Sequence, residues 1–239
     1  ELNITDPFLV SGAVRFENYS DFGETFNWKL ASRYLLNDKV SIRGSVSTGF
    51  RAPSLAQIHY NLIFNNFVAG ESLPSLLSSN TSTVTKAFGI GPLQEETAFN
   101  ASLGFTLSLG NFSATVDGYS ISVKDRIVLT DNFDASGLGL GVDVAQFFAN
   151  GVDTRTEGID LVLAYNNTLG KGNFSASIAA NFNNLTIEKI HNDTLNQFTF
   201  FGPFSQAYLE AAAPDYKVSL NLGYSIAKFH FAANLTQFS

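Results

Sequence analysis

The side chains that could perform chemistry are few in this 239-residue chain, and they lie far apart. His59, His191 and His230 do not cluster in the sequence, whereas a metal site needs several donors close together. The chain has no cysteine, which excludes thiolate ligands and thiol nucleophiles. We find no serine, histidine and aspartate that form a catalytic set, and no glycine-rich phosphate loop. The sequence therefore predicts a protein that is not an enzyme and that has neither a metal site nor a cofactor.

Ligand binding is better supported, because aromatic side chains recur in three stretches without a regular pattern. Rings in loops that are exposed to water are kept when they pack together or contact a ligand, and both alternatives remain open here. Arg51 is the charged residue of the stretch 48–54 and could bind loop carbonyls, a carboxylate or a ligand. The candidate ligand-binding residues are Arg51, Tyr60, Phe64, Phe67, Phe133, Phe147, Phe148, Phe200, Phe201 and Tyr208.

Four aspartates lie in residues 130–155, together with Phe133, Phe147 and Phe148. They are Asp131, Asp134, Asp143 and Asp153. These aspartates could attract a cation or contact a ligand. Alternatively, they form a solvated acidic loop, and their spacing is compatible with both interpretations.

Nine segments alternate between apolar and polar residues with a period of two, which predicts β-strands with one apolar face. The opposite face consists mainly of small neutral residues such as serine, asparagine and threonine. In the fifth segment the apolar residues change to the opposite parity at Gly118, which predicts a β-bulge there. The nine segments are residues 9–17, 26–35, 39–48, 98–109, 111–129, 156–165, 173–183, 217–225 and 228–237.

The connections between these segments alternate between short and long. Short turns are expected near residues 37–38, 110–111, 170–172 and 227, and longer connections at 18–24, 49–95, 130–155 and 188–214. Residues 55–93 show no sustained period, which predicts a long irregular loop. Meanders with tight turns at one end and long loops at the other are typical of transmembrane β-barrels, whereas a soluble β-sandwich does not sort its loops in this way.

The composition agrees with a barrel in a membrane. The chain is 45% hydrophobic and only 15% charged, below the ~25% that is usual for soluble domains. No apolar run reaches the ~20 residues of a membrane-spanning helix, so a membrane location requires strands. The net charge of −7 argues against nucleic acid as a partner. The predicted fold is all-β, an antiparallel meandering transmembrane β-barrel.

Several motifs carry a resemblance to a known family. Residues 48–54, Thr-Gly-Phe-Arg-Ala-Pro-Ser, lie where a strand opens into the long insert, and Pro53 cannot continue a sheet. The other matching stretches are residues 19–23, residues 117–127 with their Lys-Asp-Arg-Ile ending, residues 150–161, and Pro214 with Lys217, Leu220 and Tyr224. Together and in this order they resemble TonB-dependent outer-membrane receptors, in which the first motif lies at the extracellular end of a barrel strand.

The resemblance implies a barrel of about 22 strands that is closed around a plug. This chain, residues 1–239, would supply about nine of those strands within one barrel domain. The plug, the segment that contacts TonB and the last strands have no counterpart in the sequence. Because open sheet edges cannot be left in lipid, we expect the missing strands to come from the same polypeptide or from a second chain.

The resemblance also implies an active transporter of the bacterial outer membrane. Such receptors import a scarce nutrient, most often a ferric siderophore, with cobalamin, oligosaccharides and peptides as alternatives. The expected partners are outer-membrane lipid, the TonB energy-transducing system acting through the plug, the small nutrient ligand and other outer-membrane proteins. A barrel with another role, such as a passive porin, an adhesin or a scaffold in an outer-membrane complex, is the alternative.

Overall fold

The computed structural model describes residues 2–20, 23–68, 70–192 and 195–239. The motif at residues 19–23 therefore lies partly outside the described residues, which do not include Asp21 and Phe22. The strands are β1 (Leu2–Thr5), β2 (Phe8–Tyr19), β3 (Gly23–Asn37), β4 (Val40–Arg51), β5 (Leu62–Val68), β6 (Glu71–Ser78), β7 (Glu96–Leu109), β8 (Phe112–Leu129), β9 (Phe133–Asp134), β10 (Val144–Leu169), β11 (Gly172–Ile190), β12 (Tyr216–Ile226) and β13 (Phe229–Phe238). The α-helices are α1 (Leu55–His59), α2 (Thr83–Ala87), α3 (Gln197–Phe201) and α4 (Pro203–Glu210), and Ser136–Leu138 forms a 3-10 turn.

Ten of the strands form one antiparallel meander in the order β1-β2-β3-β4-β7-β8-β10-β11-β12-β13. All nine predicted strands are confirmed, as β2, β3, β4, β7, β8, β10, β11, β12 and β13. β1 is an additional strand that pairs with β2. Over the described residues the sheet is not closed, which is consistent with a segment of a larger barrel.

The two faces of this meander differ in polarity. Ile42 of β4 lies opposite Phe105 of β7, and both belong to the apolar face. On the other face, Arg43 Nε donates a hydrogen bond to Asp117 Oδ1 at 2.9 Å. Gly104 leaves room for this ion pair, because a Cβ at that position would lie 1.9 Å from Asp117 Oδ1. An apolar face for lipid and a polar face for the lumen are what a transmembrane barrel requires.

Tyrosines mark the end of the sheet at which the turns are short. Tyr34, Tyr165 and Tyr224 all lie near this end of their strands. The ring of Tyr34 packs edge-on against Phe8 with 6.2 Å between centroids, and Tyr165 lies 6.5 Å from Phe174. Aromatic girdles of this kind are usual at the membrane interfaces of barrels.

The prediction of a bulge at Gly118 is wrong. Gly118 pairs without interruption with Leu103 of β7 and Ile159 of β10. Tyr119, the next residue, lies on the polar face, where its hydroxyl accepts a hydrogen bond from Asn181 Nδ2 at 3.1 Å. Beyond Gly118 the apolar residues of β8 lie on the inner face and the polar residues on the outer face, while the backbone pairing continues. This change of face, rather than a bulge, explains the change in parity.

We call the part beyond this change of face the upper sheet, and the part between it and the short turns the lower sheet. The upper sheet comprises residues 119–129 of β8, 144–158 of β10 and 183–190 of β11. Its outer face is charged, since Arg155 Nε lies 2.7 Å from Glu188 Oε1. Its inner face is apolar, and Val152 is completely buried there. The register of β8 and β10 slips in this part, between Asn150 and Thr154 of β10.

The expectation of an irregular loop at residues 55–93 is wrong. This insert forms α1, the hairpin β5–β6 and α2, and β6 pairs in parallel with the start of β10. Serines cap both helices: Ser54 forms a capping box with Gln57, and Ser82 Oγ accepts the Thr85 N–H at 3.1 Å. Elements this short, five to eight residues each, contain too few repeats to produce a recognisable period.

A hydrophobic core lies between the inner face of the upper sheet and the long connections, which contribute the insert, β9 and α3. Its larger buried residues are Leu76, Ile90, Val128, Phe133, Val142, Phe147, Val152, Phe200 and Phe201. The rings of Phe88, Phe133 and Phe147 contact one another, with centroids 5.1 to 5.5 Å apart. Burial of each such side chain contributes about 1.5–3 kcal/mol, so the upper sheet is stabilised like a domain in water.

Three of the long connections are shorter than expected, because the strands extend beyond the predicted segments. β2 ends at Tyr19 and β3 begins at Gly23. β10 begins at Val144, and β11 continues to Ile190 before the chain reaches α3 and α4. Among the described residues, no helix has the length and apolar character needed to cross a membrane.

Candidate ligand-binding site

A cavity of about 540 Å³ lies between Arg51 at the end of β4, the end of β8 and helix α4. We call it the vestibule cavity, because it borders the upper sheet and the longest connections. Its wall combines apolar residues of β8 and α4 with charged and aromatic side chains. The lining residues that carry a charge or an aromatic ring are Arg51, Arg126, Asp131, Phe201, Phe204 and Tyr208.

Arg51 holds three strand ends together at this cavity. Its guanidinium contacts both carboxylate oxygens of Glu96, with Nε 2.7 Å from Oε2 and Nη2 bonded to Oε1. Glu96 is buried, and its Oε1 also accepts the backbone N–H of Ile127 at 2.7 Å. Arg51 therefore ties β4 to β7 and β8, and its charge is paired with the Glu96 carboxylate.

Asp131 fixes helix α4 at the edge of the cavity. Its Oδ2 accepts the N–H of Gly202 at 2.6 Å, and its Oδ1 accepts the Ser205 hydroxyl at 2.5 Å. A carboxylate at the start of a helix satisfies free N–H groups there and interacts favourably with the helix dipole. Gly202 is required by the close approach, since a Cβ would lie 2.7 Å from Asp131 Oδ2.

The anchoring of α4 leaves two of its rings exposed. Phe201, just before the helix, is buried in the core, whereas Phe204 and Tyr208 have 82% and 76% of their surface exposed. All three residues line the vestibule cavity. Exposed rings at the rim of a cavity provide apolar and stacking surface for a ligand.

Arg126 is the second arginine of the cavity and differs from Arg51 in its partners. Among the described residues it has no carboxylate within ion-pair distance, and its Nη1 is 3.4 Å from Thr154 Oγ1. A guanidinium in this situation has donors left for a bidentate contact with an anionic ligand. Sequence reasoning did not select Arg126, although it belongs to the Lys-Asp-Arg-Ile motif that carried the family resemblance.

The predicted ligand-binding residues fall into three groups. Arg51, Phe201 and Tyr208 line the vestibule cavity. Phe133, Phe147 and Phe200 are buried in the core, where they pack, and Phe148 is half-buried in β10. Tyr60 follows α1 as its C-cap, Phe64 and Phe67 belong to β5, and Phe67 is 72% exposed. Phe204 and Arg126 also line the cavity and were not among the predicted ligand-binding residues.

A second cluster lies where β8 and β10 slip in register. His191 Nε2 is 2.8 Å from Asp153 Oδ1 and 4.0 Å from Asp125 Oδ1. Asp125 has a left-handed φ of 55°, and its N–H donates to Asp153 Oδ1 at 2.9 Å. Burial alone would raise the pKa of the Asp153 carboxyl, but the hydrogen bonds from the Asp125 N–H and His191 lower it below its usual value. The sequence predicted no such cluster, because both aspartates are far from His191 along the chain.

A meander with one apolar and one polar face, short turns at one end and elaborated connections at the other defines the wall of a transmembrane β-barrel. The family model described as "TonB dependent receptor-like, beta-barrel" matches residues 1–238. The chain therefore belongs to this family of outer-membrane β-barrels, as the motifs predicted.

Individual proteins agree with this assignment. The chain is 26% identical over 127 residues to a probable TonB-dependent siderophore receptor, PirA, of Acinetobacter baumannii. The aligned residues are 53% of this chain and 16% of that protein. The crystal structure of the siderophore receptor PirA from Pseudomonas aeruginosa has a TM-score of 0.67 at 15% identity, covering 99% of this chain and 38% of that one. A mutant of the ferric enterobactin receptor PfeA from Pseudomonas aeruginosa has a TM-score of 0.66 at 16% identity, covering 99% and 31%.

These similarities establish the fold and the family. The chain spans less than two fifths of the length of each of these relatives. The related proteins are receptors and transporters rather than enzymes. The expectation that the protein is not an enzyme is therefore confirmed for its family.

Proposed function

We propose that this chain forms part of the wall and ligand vestibule of a TonB-dependent transporter in the bacterial outer membrane, and that its nutrient is a ferric siderophore. The observation that carries the proposal is the vestibule cavity, in which Arg126 has no carboxylate partner among the described residues and the rings of Phe204 and Tyr208 are exposed. The name of the 26% identical relative, a probable siderophore receptor, supports the same class of ligand.

Arg126 provides the cavity with a contact for an anionic group of a ligand. The carboxylate of Asp131 also lines the cavity, but it accepts hydrogen bonds from Gly202 and Ser205. The chain as a whole has a net charge of −7, so an anion is attracted only where a cation is locally unpaired. Arg51 is neutralised by Glu96, which leaves Arg126 as the contact for an oxygen-rich chelate. The apolar residues around the cavity lower the local dielectric and strengthen this interaction.

The rings of α4 favour a ligand with flat or apolar groups. Phe204 and Tyr208 present most of their surface beside the cavity, and Asp131 holds their helix in place. Stacking of a ring on a ligand adds about 0.5–1.5 kcal/mol beyond the burial of apolar area. An iron chelate with aromatic donor groups would use both kinds of contact.

Transport requires parts that lie outside these residues. We expect the TonB system to supply energy through a plug carried elsewhere on the full-length polypeptide, because the chain covers 31–38% of the PirA and PfeA structures from Pseudomonas aeruginosa. On this proposal the 239 residues provide the lipid-facing wall and one side of the vestibule.

The test is ligand binding by the full-length gene product in detergent, with ferric catecholate, ferric hydroxamate, cobalamin and an oligopeptide mixture as separate probes. We expect saturable binding of one ferric siderophore. Arg126→Ala should weaken that binding roughly tenfold, which is the effect of losing a charge-assisted hydrogen-bonded contact. The matched control is Arg155→Ala, because Arg155 lies on the outer face of the upper sheet and pairs with Glu188.

The outcomes separate the alternatives. Binding of the peptides alone would replace the siderophore with another nutrient, and equal affinities of the Arg126 and Arg155 variants would remove the vestibule cavity as the site. Passive permeation of small solutes through reconstituted protein, with no saturable ligand, would support a porin instead.

A further inference from the structure

The cluster of Asp125, Asp153 and His191 joins three separate segments of the chain. Asp125 belongs to β8, Asp153 to β10, and His191 follows the last residue of β11. All three lie in or directly beyond the upper sheet, whose outer face is charged, and therefore outside the lipid-facing part of the wall. The cluster is separate from the set of residues that line the vestibule cavity.

The donor atoms are already close to the separations found around a metal ion. The carboxylate oxygens of Asp125 and Asp153 and the imidazole nitrogen of His191 all lie within 4.8 Å of one another. His191 Nε2 is 2.8 Å from one oxygen and 4.0 Å from the other. With ligand bonds of about 2.0–2.2 Å, neighbouring donors of one ion stand roughly 3–4 Å apart, so small side-chain rotations suffice.

The backbone around the cluster is held in place. Asn150 Nδ2 donates to the Asp125 carbonyl at 2.7 Å, and the same side chain exchanges hydrogen bonds with the backbone of Gln94. The His191 N–H donates to the Gly151 carbonyl at 2.8 Å. The backbone of Asp125 and of His191 is therefore held by contacts that do not involve the donor atoms, whereas Asp153 Oδ1 itself accepts the Asp125 N–H at 2.9 Å.

We propose that Asp125, Asp153 and His191 bind a divalent transition-metal ion, with Zn²⁺ as the representative species. Imidazole nitrogen is a good ligand for Zn²⁺, Ni²⁺ and Cu²⁺, whereas Ca²⁺ and Mg²⁺ prefer oxygen ligands only. Two carboxylates neutralise the charge of the ion. The side chain of Asp125 is 52% exposed, which leaves room for water or a further ligand at the remaining positions.

A bound ion would clamp the start of the connection that carries α3 and α4. His191 is where the chain leaves β11, and Asp125 directly precedes Arg126 of the vestibule cavity. The ion would therefore fix the connection to β8 and β10 at a point beside the cavity. This inference does not depend on the identity of the transported ligand.

The experiment is calorimetric titration of the full-length gene product in detergent with Zn²⁺, and in parallel with Ca²⁺ and Mg²⁺, after treatment with a chelator. We expect one Zn²⁺ to bind per chain through this cluster, and we expect the Asp125→Asn and His191→Ala variants to lose that binding. His59→Ala is the matched control, because His59 is an exposed histidine at the end of α1. Asp125→Asn changes a half-exposed side chain, so it separates loss of binding from loss of folding.

A second readout identifies the ligand directly. With Cu²⁺ in place of Zn²⁺, the electron paramagnetic resonance spectrum should show coupling to a single imidazole nitrogen, and His191→Ala should remove it. The proposal is overturned if Zn²⁺ produces no saturable heat in the parent protein, which would leave the cluster as a hydrogen-bonded ion pair. It is equally overturned if the His191→Ala variant binds Zn²⁺ as well as the parent and the His59→Ala control do.

Discussion

The lower and upper sheets share β8, β10 and β11 but carry their apolar residues on opposite faces. In the lower sheet Leu103 faces outward and is 66% exposed, while Arg43 and Asp117 form an ion pair on the inner face. In the upper sheet the ion pair of Arg155 and Glu188 faces outward, and the apolar residues turn inward. Across Gly118 the strands pair without a slip and the side chains keep alternating, so the surrounding solvent decides which face is apolar there.

The two parts obtain their stability in different ways. The upper sheet buries apolar residues against an insert, because water lies outside it, and forms a core like that of a soluble domain. In the lower sheet the apolar residues meet lipid, which provides no comparable driving force for packing against protein. Removal of an apolar side chain should therefore lower the free energy of unfolding much more in the upper sheet than in the lower sheet.

The largest difference should follow from removing a core ring. Phe147→Ala deletes a side chain that has no exposed surface, and we expect it to lower the free energy of unfolding of the upper sheet by about 3–5 kcal/mol. The matched control is Leu103→Ala on the lipid-facing side, where acyl chains refill the space and the loss should be much smaller. Denaturant unfolding of the full-length protein in lipid vesicles measures both, and equal losses would mean that the two faces are not differently solvated.

A smaller effect should come from the point where polarity exchanges. A Cβ at Gly158 would lie 2.4 Å from the Tyr119 hydroxyl and 2.6 Å from the Phe182 carbonyl oxygen. Gly158→Ala should therefore cost about 1–3 kcal/mol of unfolding free energy, because it displaces the inward-facing Tyr119 ring. Gly12→Ala is the control, since its Cβ meets no atom closer than 3.9 Å. If both variants unfold alike, Tyr119 does not occupy the inner face.

The smallest effect should be confined to helix α4. Asp131→Ala removes the carboxylate that accepts hydrogen bonds from Gly202 and Ser205, at a cost of about 0.5–2 kcal/mol. We expect faster amide hydrogen exchange in residues 203–210, on the order of fivefold, with little change in the strands. Asp143→Ala serves as the control, because the backbone of Asp143, rather than its side chain, makes the contacts seen here. Unchanged exchange in α4 would show that Asp131 does not anchor the helix.

The sequence predicted the lower sheet well, because its strands are long and alternate cleanly. It predicted the upper sheet less well. The parity change at Gly118 was interpreted as a bulge, since a pattern of side chains cannot distinguish a slip in pairing from a change of solvent. The insert at residues 55–93 was missed because its elements are short, although Ser54 and Gln57 carried the signature of a capping box.

The candidate sites depended on contacts that no local pattern contains. Aromatic content selected Phe201 and Tyr208 of the vestibule cavity, but it also selected Phe147 and Phe200, which are core residues. Whether a ring packs or faces a ligand is decided by the chain segments that cover it. The cluster around His191 illustrates the same point, since its partners come from β8 and β10.

Between Leu103 of β7 and Glu157 of β10, the outer face of the sheet changes from lipid-facing to water-facing. The chain contains no cysteine, so single cysteines can be introduced without background from these residues. The measurement is labelling of Leu103→Cys and Glu157→Cys in intact cells with a membrane-impermeant maleimide. The structure predicts that Glu157→Cys is labelled and that Leu103→Cys reacts only with a lipid-soluble reagent. Labelling of Leu103→Cys by the impermeant reagent, or protection of Glu157→Cys, would contradict the account.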